Sequence, residues 1–421
     1  MPTEFSLQSH LAFVREQSPF YADYWADQPA NAPLQALPIT RHEDYWQANG
    51  LHDNQVLTDR HHQGVVYKSG GTSGDPKFSF FSNEDWYQFC AVFGNGMAQH
   101  LLADGQRHVG NLFYGGQMYA SFNFITRALE EAGNAVSYPI AGHAPADEVV
   151  QTIEQFGINT LVGVPTTFMK LLPALAAAHR EQPLPITRFM YGGEPLFPDQ
   201  VAAIKRALPD CTPSSIGIAG VDYGEMGWIS ADCELGEHRV FDQSICLEIL
   251  DEHGGVIEQP NTPGELHITN FRRKLMPIVR YPVGDRGMWT EPTGTPNRKF
   301  KVLGRTDAGA RIGVVSLYVE DITRIVGQQA GDVGVIHSQL LIEHFDQRDK
   351  GTLKIAVSNP QAVPTDAAEQ IRQALFKERP MLPSSIEKGV IHPFEIQFCR
   401  GDELHTNPRT GKLIRVVDNR L

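Results

Sequence analysis

Between residues 105 and 218 the chain alternates in type, and this alternation narrows the folds open to it more than any other feature. Arg107–Phe113 reads as a strand, Met118–Glu131 as a helix and Ala135–Tyr138 as a short strand. Pro145–Phe156 reads as a helix, with Asp147 and Glu148 in its first turn, where carboxylates oppose the positive end of the helix dipole. Thr160–Val164 is brief and apolar; Pro165 then stands at a first helical position and Thr166–Ala178 continues the helix. Thr187–Met190 and Ser214–Ile218 are further strands, separated by a helix over Asp199–Leu208. Strands joined by helices predict a mainly parallel α/β sheet.

The flanks differ. Residues 1–60 are mostly polar and aromatic, with helices expected near 5–17 and 41–49. From 236 to 305 helical periodicity fades, and short β-like runs (Cys246–Leu250, Gly264–Thr269, Gly287–Thr290, Phe300–Leu303) are separated by Gly, Pro and Asn turns, the pattern of a small β subdomain. A second α/β unit follows Arg305: Ala310–Val315, a helix near 317–328, Gly334–Ile342, Leu353–Val357, a helix near 365–377 and Glu395–Cys399. The expected boundary lies near Asp307, dividing the chain into domains 1–306 and 307–421. At 421 residues, two or three domains are the natural count.

Composition excludes some partners. The 36 basic and 49 acidic side chains leave a net charge of −13, against a nucleic-acid or anionic-membrane partner, which would need a basic face. Five cysteines, an odd number without a CxxC pair, fit a reduced cytoplasm. The start, Met-Pro-Thr-Glu-Phe, lacks a charged segment followed by an apolar core, and no apolar stretch reaches membrane-spanning length, so a cytoplasmic location is expected.

Lys68-Ser69-Gly70-Gly71-Thr72-Ser73-Gly74-Asp75-Pro76-Lys77 carries the clearest chemistry. β-Branched and aromatic runs flank it, Val65-Val66-Tyr67 before and Phe78-Ser79-Phe80-Phe81 after, so it joins two strands. Glycines let consecutive backbone N–H groups form a concave anion nest. The hydroxyls of Ser69, Thr72 and Ser73 add donors, and Lys77 adds a point charge. Such a loop suits a polyphosphate. It is not a Walker A loop, because Asp75-Pro76 intervenes and no helix follows. Alone, it reads equally well as a flexible hairpin.

Further motifs follow in order: Tyr191-Gly192-Gly193-Glu194-Pro195, Ile218-Ala219-Gly220-Val221-Asp222-Tyr223-Gly224-Glu225, Arg280-Tyr281-Pro282-Val283-Gly284-Asp285, Leu303-Gly304-Arg305-Thr306-Asp307 and Asn407-Pro408-Arg409-Thr410-Gly411-Lys412. This ordered set resembles the adenylate-forming enzymes: acyl-CoA synthetases, peptide-synthetase adenylation domains and luciferases. The resemblance runs from about residue 65 to the end. Chain length and the Gly-Gly-Glu-Pro motif look closest to the phenylacetate-CoA ligase branch, which includes homologues in phenazine antibiotic pathways.

The resemblance implies an α/β fold, with a large N-terminal domain of parallel α/β sheets plus a small β subdomain, and a smaller, mobile α+β C-terminal domain. It implies ATP on the 69–77 loop, contacted by Ser69, Gly71, Thr72, Ser73, Gly74 and Lys77. Adenine lies near Gly192, Gly193, Glu194 and Pro195, and Arg305 beside ribose and phosphate. Asp285 accepts from both ribose hydroxyls, as a two-oxygen acceptor suits a vicinal diol; its position between Gly284 and Arg286 reads as a tight turn, where a capping Asp is the plainer alternative. Asp307 resembles the hinge residue, and the longer consensus beyond it is kept only loosely, through Arg311 and Gly313. Lys412 would bridge the acid carboxylate and the α-phosphate, offsetting the repulsion between two anions.

The usual Tyr/Phe-Gly-x-Thr-Glu is altered. The aligned stretch makes Asp222 the carboxylate facing Mg²⁺, with Glu225 the alternative, and removes the aromatic that stacks on adenine unless Tyr223 replaces it. By family position residues 111–125 border the acyl pocket, where Tyr114, Met118, Tyr119 and Phe122 suit a flat ring; core packing explains any one of them equally well. Phe113 and Phe124 bring the aromatics between 113 and 124 to five. The resemblance offers Cys233, His238 and Cys246 as a zinc site of the kind some relatives of this branch hold; their spacing is not that of a recognised zinc ligand set, and ordinary buried thiols are the plainer alternative.

The expectation is thus ATP- and Mg²⁺-dependent adenylation of an aromatic acid (aryl, arylacetic or phenazine-type). Coenzyme A, another thiol or a reductase then accepts the acyl group, and a homodimer is among the expected partners. The altered Asp222 motif leaves a second reading, a catalytically degenerate nucleotide-binding regulator.

Overall fold

The computed structural model describes residues 7–69, 77–100, 102, 105, 107–193, 196, 198–251, 253–305, 309–312, 315–329, 333–346, 348–408 and 410–419. The chain divides into two compact units. One comprises Met1–His143, Ile158–Val162 and Ser214–Arg305; the other comprises Ala144–Gly157, Gly163–Pro213 and Thr306–Leu421.

In the first unit, the strand Arg107–Asn111 pairs in parallel with Ala135–Tyr138 on one side and Thr160–Gly163 on the other. The helix Ser121–Ala132 connects the first two, the crossover that parallel strands require. It ends at Gly133, whose φ of 76° makes a left-handed cap. A long helix, Asn83–His100, lies against it. Their close approach depends on Gly94, where a Cβ would overlap the carbonyl oxygen of Ala128. The interface is aromatic: the rings of Phe89 and Phe124 stack at 4.4 Å, and Phe93 meets Phe124 at 5.0 Å.

Residues 218–305 of the same unit form a seven-stranded antiparallel sheet in the order Ile245–Leu250, Gly264–Asn270, Ile278–Trp289, Lys299–Arg305, Glu237–Val240, Gly224–Trp228, Ile218–Gly220. The strand Ile278–Trp289 carries the Tyr-Pro-Val-Gly-Asp motif through its middle. Asp285 therefore lies in a strand rather than the expected tight turn: it pairs across to Arg305, and Gly284 absorbs the local kink at φ 82°. Pro282 stands opposite His267, beside a register shift in the ladder, the kind of position where a strand tolerates proline.

The amino-terminal segment is stapled to this strand. Thr40 donates through its hydroxyl to the Val279 carbonyl at 2.6 Å and through its N–H to the Arg280 carbonyl at 3.1 Å. Arg280 makes a buried bidentate pair with Glu248, both contacts 3.0 Å, and also donates to the Leu37 carbonyl at 2.6 Å. A buried pair of this kind adds little net stability, but losing one partner strands a charge and costs about 3–5 kcal/mol.

In the second unit, a four-stranded mixed sheet runs Glu395–Cys399, Arg348–Val357, Val335–Phe345, Val416–Asp418. The helices Val319–Gln329 and Ala367–Glu378 cover it, burying Ile322, Ile325, Val326, Ile371 and Leu375 with Leu340, Leu353 and Ile355 of the sheet. The region expected as one strand over Ala310–Val315 is a hairpin, Gly309–Ile312 paired with Val315–Tyr318. This unit also holds the helices Ala146–Phe156, Pro165–Glu181 and Pro198–Ala207. Among the described residues no helix is long and apolar enough to cross a membrane.

Candidate functional site

The strands that flank the glycine-rich loop are paired with each other. Val65–Ser69 and Lys77–Phe81 pair antiparallel, with Ser69 opposite Lys77 at the open end. Residues 70–76, including Gly71, Thr72, Ser73 and Gly74, lie outside the described residues, as does the Ser69 side chain. The backbone N–H of Lys68 donates to the Met118 carbonyl at 2.8 Å, which sets the aromatic segment beside this hairpin.

That segment is shaped by its own polar ties. Asn111 Oδ1 accepts from the Phe113 N–H at 3.0 Å, while its amide donates to the Phe122 carbonyl at 3.2 Å and Thr126 Oγ1 at 3.1 Å. Gln117 and Met118 adopt φ values of 50° and 62°, a left-handed conformation that non-glycine residues enter at a cost. The turn leaves Met118 exposed at 44%, with Tyr114, Tyr119 and Phe122 half-buried. The five aromatics do not act together: Phe113 and Phe124 are spent on the core, at 3% and 8% exposure.

The two candidate carboxylates of the 218–225 stretch have different surroundings. Asp222 is half-buried and its Oδ2 accepts from the Tyr281 hydroxyl at 3.4 Å. Burial, then the Asp222 charge, holds the Tyr281 phenol well above its usual range, so Tyr281 remains the donor. Glu225 is fully buried. Its Oε2 accepts from Asn270 at 3.2 Å, its Oε1 has no partner, and burial pushes its carboxyl up to about 7. A carboxylate sealed in this way cannot reach a solvated cation, whereas Asp222 is only half-buried. Tyr223 is packed rather than open: its ring lies where a Cβ on residue 220 would stand, which requires Gly220.

Asp285 is half-buried and faces Arg305 in the β register; the Arg305 side chain lies outside the described residues, with Asp307 and Gly313 and the side chain of Arg311. Arg280, at the start of the same motif, is committed to Glu248 and the 35–37 carbonyls and is a structural tie.

In the second unit, Gly192 donates its N–H to the Gly163 carbonyl at 3.3 Å, and Gly193 has a φ of 78°. Glu194 and Pro195 lie outside the described residues. Lys412 comes to Gly193: its Cε and Nζ are 2.8 and 2.9 Å from the place a Cβ would occupy there. The Asn407–Lys412 turn presents it, closed by Asn407 N–H to Lys412 O at 2.8 Å, Gly411 N–H to Asn407 O at 2.8 Å and Lys412 N–H to Thr410 Oγ1 at 3.3 Å.

Cys233, His238 and Cys246 do not assemble a metal site. His238 Nε2 pairs with Ser215 Oγ at 3.1 Å and burial lowers its pKa to about 4; desolvation pushes the half-buried Cys246 thiol up to about 12. Among the described residues no three His, Cys, Asp or Glu side chains are placed to hold a metal ion.

Two residues carried no signal in the sequence. His42 and Trp46, on the helix His42–Ala48, face Lys77: His42 Nε2 is 2.7 Å from Lys77 Nζ, and that ammonium stands 5.4 Å from the Trp46 ring centre.

No family model matches the chain. It is 24% identical over 415 residues to the phenylacetate-coenzyme A ligase of Aromatoleum evansii, covering 94% of this chain and 87% of that one. It is also 24% identical over 450 residues to the phenylacetate-coenzyme A ligase of Thermus thermophilus, covering 98% and 95%. Among solved structures it matches 2-hydroxyisobutyryl-CoA ligase in the postadenylation state with 2-HIB-AMP at a TM-score of 0.72, with 17% identity and coverage of 100% and 91%. The anthranilate CoA ligase AuaEII in complex with anthranoyl-AMP matches at 0.58, with 17% identity and coverage of 86% and 67%.

Proposed function

We propose that this chain, similar along nearly its whole length to two phenylacetate-coenzyme A ligases, is an adenylate-forming enzyme of that kind, which activates a carboxylic acid with ATP and transfers the acyl group to coenzyme A. A carboxylate oxygen attacks the α-phosphorus, the bond to the bridging oxygen breaks, and pyrophosphate leaves with the electron pair. The CoA sulfur, as thiolate, then attacks the acyl carbon, and AMP leaves with the oxygen. Neither step needs an enzyme nucleophile, so catalysis is positioning and electrostatics.

The observation that carries this reading is the seat of Lys412 against Gly193, which sets an ammonium beside the Gly-Gly-Glu-Pro motif. A fixed cation there offsets the repulsion as two anions meet. Asp285 takes the ribose hydroxyls and Arg305 the ribose-phosphate edge, while Ser69, Thr72, Ser73 and Lys77 serve the phosphates. Mg²⁺ fits Asp222, a half-buried carboxylate steadied by Tyr281, and supplies neutralising charge for the phosphates when bound. The acid is aryl, arylacetic or a fused heteroaromatic such as a phenazine carboxylate, received by Tyr114, Met118, Tyr119 and Phe122. A reductase or another thiol is the alternative acceptor.

Acid-dependent exchange of labelled pyrophosphate into ATP tests the reading. Exchange with at least one acid is expected. Absence of exchange across aryl and alkyl acids, with ATP binding retained, would support the degenerate regulator that the altered Asp222 motif also allows.

A further inference from the structure

The helix His42–Ala48 is held where it can act on both ends of the phosphate machinery. Thr40, two residues before it, is tied to Val279 and Arg280. Tyr45, fully buried, donates to the Pro277 carbonyl at 3.1 Å and packs edge-on against Tyr281 at 5.3 Å. His42 and Trp46 stand four residues apart, on one face.

From that face two sets of polar contacts run, joined by the Trp46 ring. Lys77 Nζ meets His42 Nε2 at 2.7 Å. An ammonium only donates, so the imidazole accepts and its proton sits on Nδ1. The Trp46 ring lies 5.4 Å from the same ammonium, within reach of a cation–π attraction. Trp46 Nε1–H donates to Tyr281 Oη at 2.8 Å, and Tyr281 donates to Asp222 Oδ2 at 3.4 Å. The His42 and Tyr281 rings are 5.8 Å apart, closing the group.

We propose that His42 and Trp46 are positioning residues for adenylation. One helix holds Lys77, at the foot of the glycine-rich loop, and through Tyr281 orients the metal-facing carboxylate of Asp222. The inference rests on the reading of Lys77 and Asp222 as phosphate- and Mg²⁺-facing groups. Its physical basis is pre-organisation: a lysine carries a flexible four-carbon stem, and an acceptor and an aromatic face restrict it before the nucleotide arrives.

The test uses the full chain and three variants, with ATP affinity measured calorimetrically without and with Mg²⁺, and exchange measured against Mg²⁺ concentration. His42→Phe keeps a ring but removes the acceptor, and ATP affinity is expected to fall about tenfold, the loss of one hydrogen bond to a charged group. His42→Gln returns an acceptor and is expected to recover most of that affinity. Trp46→Phe keeps the ring over Lys77 but removes the N–H to Tyr281. Its metal-free ATP affinity is expected to fall less than that of His42→Phe, because a ring remains beside Lys77, while the Mg²⁺ concentration for half-maximal exchange rises several-fold.

Wild-type protein that binds no ATP would overturn the proposed function and this inference together. Wild-type protein that binds and exchanges, with all three variants unaltered, would overturn the inference alone. Equal losses in His42→Phe and His42→Gln would assign the helix to packing and overturn it too. If His42→Phe does not fold, the Trp46→Phe split between metal-free affinity and Mg²⁺ requirement decides the matter.

Discussion

Lys412 and Gly193 occupy one place: the lysine's Cε and Nζ stand 2.8 and 2.9 Å from where a side chain on residue 193 would begin. A residue 219 positions away in sequence reaches the Gly-Gly-Glu-Pro motif because Gly193 has no side chain to stand in its place. We propose that the domain beginning near Asp307 rotates, so that Lys412 serves adenylation and leaves for the transfer step, a gating role familiar for lids. Lys412→Ala should then slow adenylation by several decades, because the developing charge loses its cation. Consumption of pre-formed acyl-adenylate with coenzyme A should be nearly unaffected. Single-turnover assays of the two half-reactions decide it: equal losses would mean Lys412 only supports the fold.

Gly193→Ala tests the seat from the other side. At φ 78° alanine is strained by about 1 kcal/mol or more, and its methyl would displace the Lys412 side chain. Exchange should fall at least about tenfold, since 1.4 kcal/mol is a decade. The double variant with Lys412→Ala should lose little more than Lys412→Ala alone. Additive losses would separate the two residues.

Thr72→Ala and Ser73→Ala probe the glycine-rich loop. Each removes a hydroxyl expected on a phosphate, worth about 1.5–3 kcal/mol for a bond to a charged group, so ATP should bind about tenfold more weakly or worse. Unchanged calorimetric affinity in both variants would return the loop to a structural hairpin.

Much of the fold was legible because the strands are short, apolar and punctuated. Ala135–Tyr138 and Glu395–Cys399 match their expected bounds. The helix Asn83–His100 was not foreseen: Gly94 and Gly96 weaken its helical pattern, and glycine is wanted there because Gly94 packs on Ala128 of the helix Ser121–Ala132 and Gly96 on Trp228 and Phe241. Asp285 was expected in a turn because Gly284 flanks it, yet the strand runs through, since pairing with Arg305 continues the ladder past the kink. The motif residues were readable as short local signatures. His42 and Trp46 were not, because a His and a Trp four apart are ordinary on a half-buried helix, and their partners Lys77 and Tyr281 lie 35 and 235 residues away.

Glu225 gives a pH dependence of known sign. Burial raises its carboxyl from an ordinary 4.5 to about 7, so between those values the unfolded chain loses a proton that the folded chain keeps. Its contribution is therefore full below the unfolded pKa and is lost as pH rises through about 7, a loss of roughly 3 kcal/mol by linkage. The buried His10, His238 and His267, each lowered to about 4 by burial, act oppositely: they destabilise as pH falls below 6.5. Glu225→Gln removes the first effect and leaves the second. Denaturant unfolding from pH 5 to 8 should show the variant gaining on the wild type as pH rises, and parallel curves would mean the carboxyl is not buried as described.

The acid itself is tested through the residues left after the core takes its share. Phe113 and Phe124 are buried, so the acyl slot proposed for residues 111–125 must be lined by Tyr114, Met118, Tyr119 and Phe122, which remain at least partly open. An aromatic ring stacked on such side chains gains about 0.5–1.5 kcal/mol per ring pair beyond its area burial, at small entropic cost. An alkyl chain gains the area term only and loses more rotamer freedom on binding. Benzoate-like, arylacetic and phenazine-like acids should therefore exceed C8–C12 fatty acids in kcat/KM for pyrophosphate exchange. Phe122→Ala should narrow that preference by raising KM for the aromatic acids more than for the fatty acids. Phe124→Ala offers the contrast: its ring packs on Phe89, so the change should cost about 3–5 kcal/mol of stability and leave the ratio between acids unchanged in the folded fraction. A preference for the fatty acids, or a Phe122 variant with unaltered selectivity, would move the acyl pocket away from this segment.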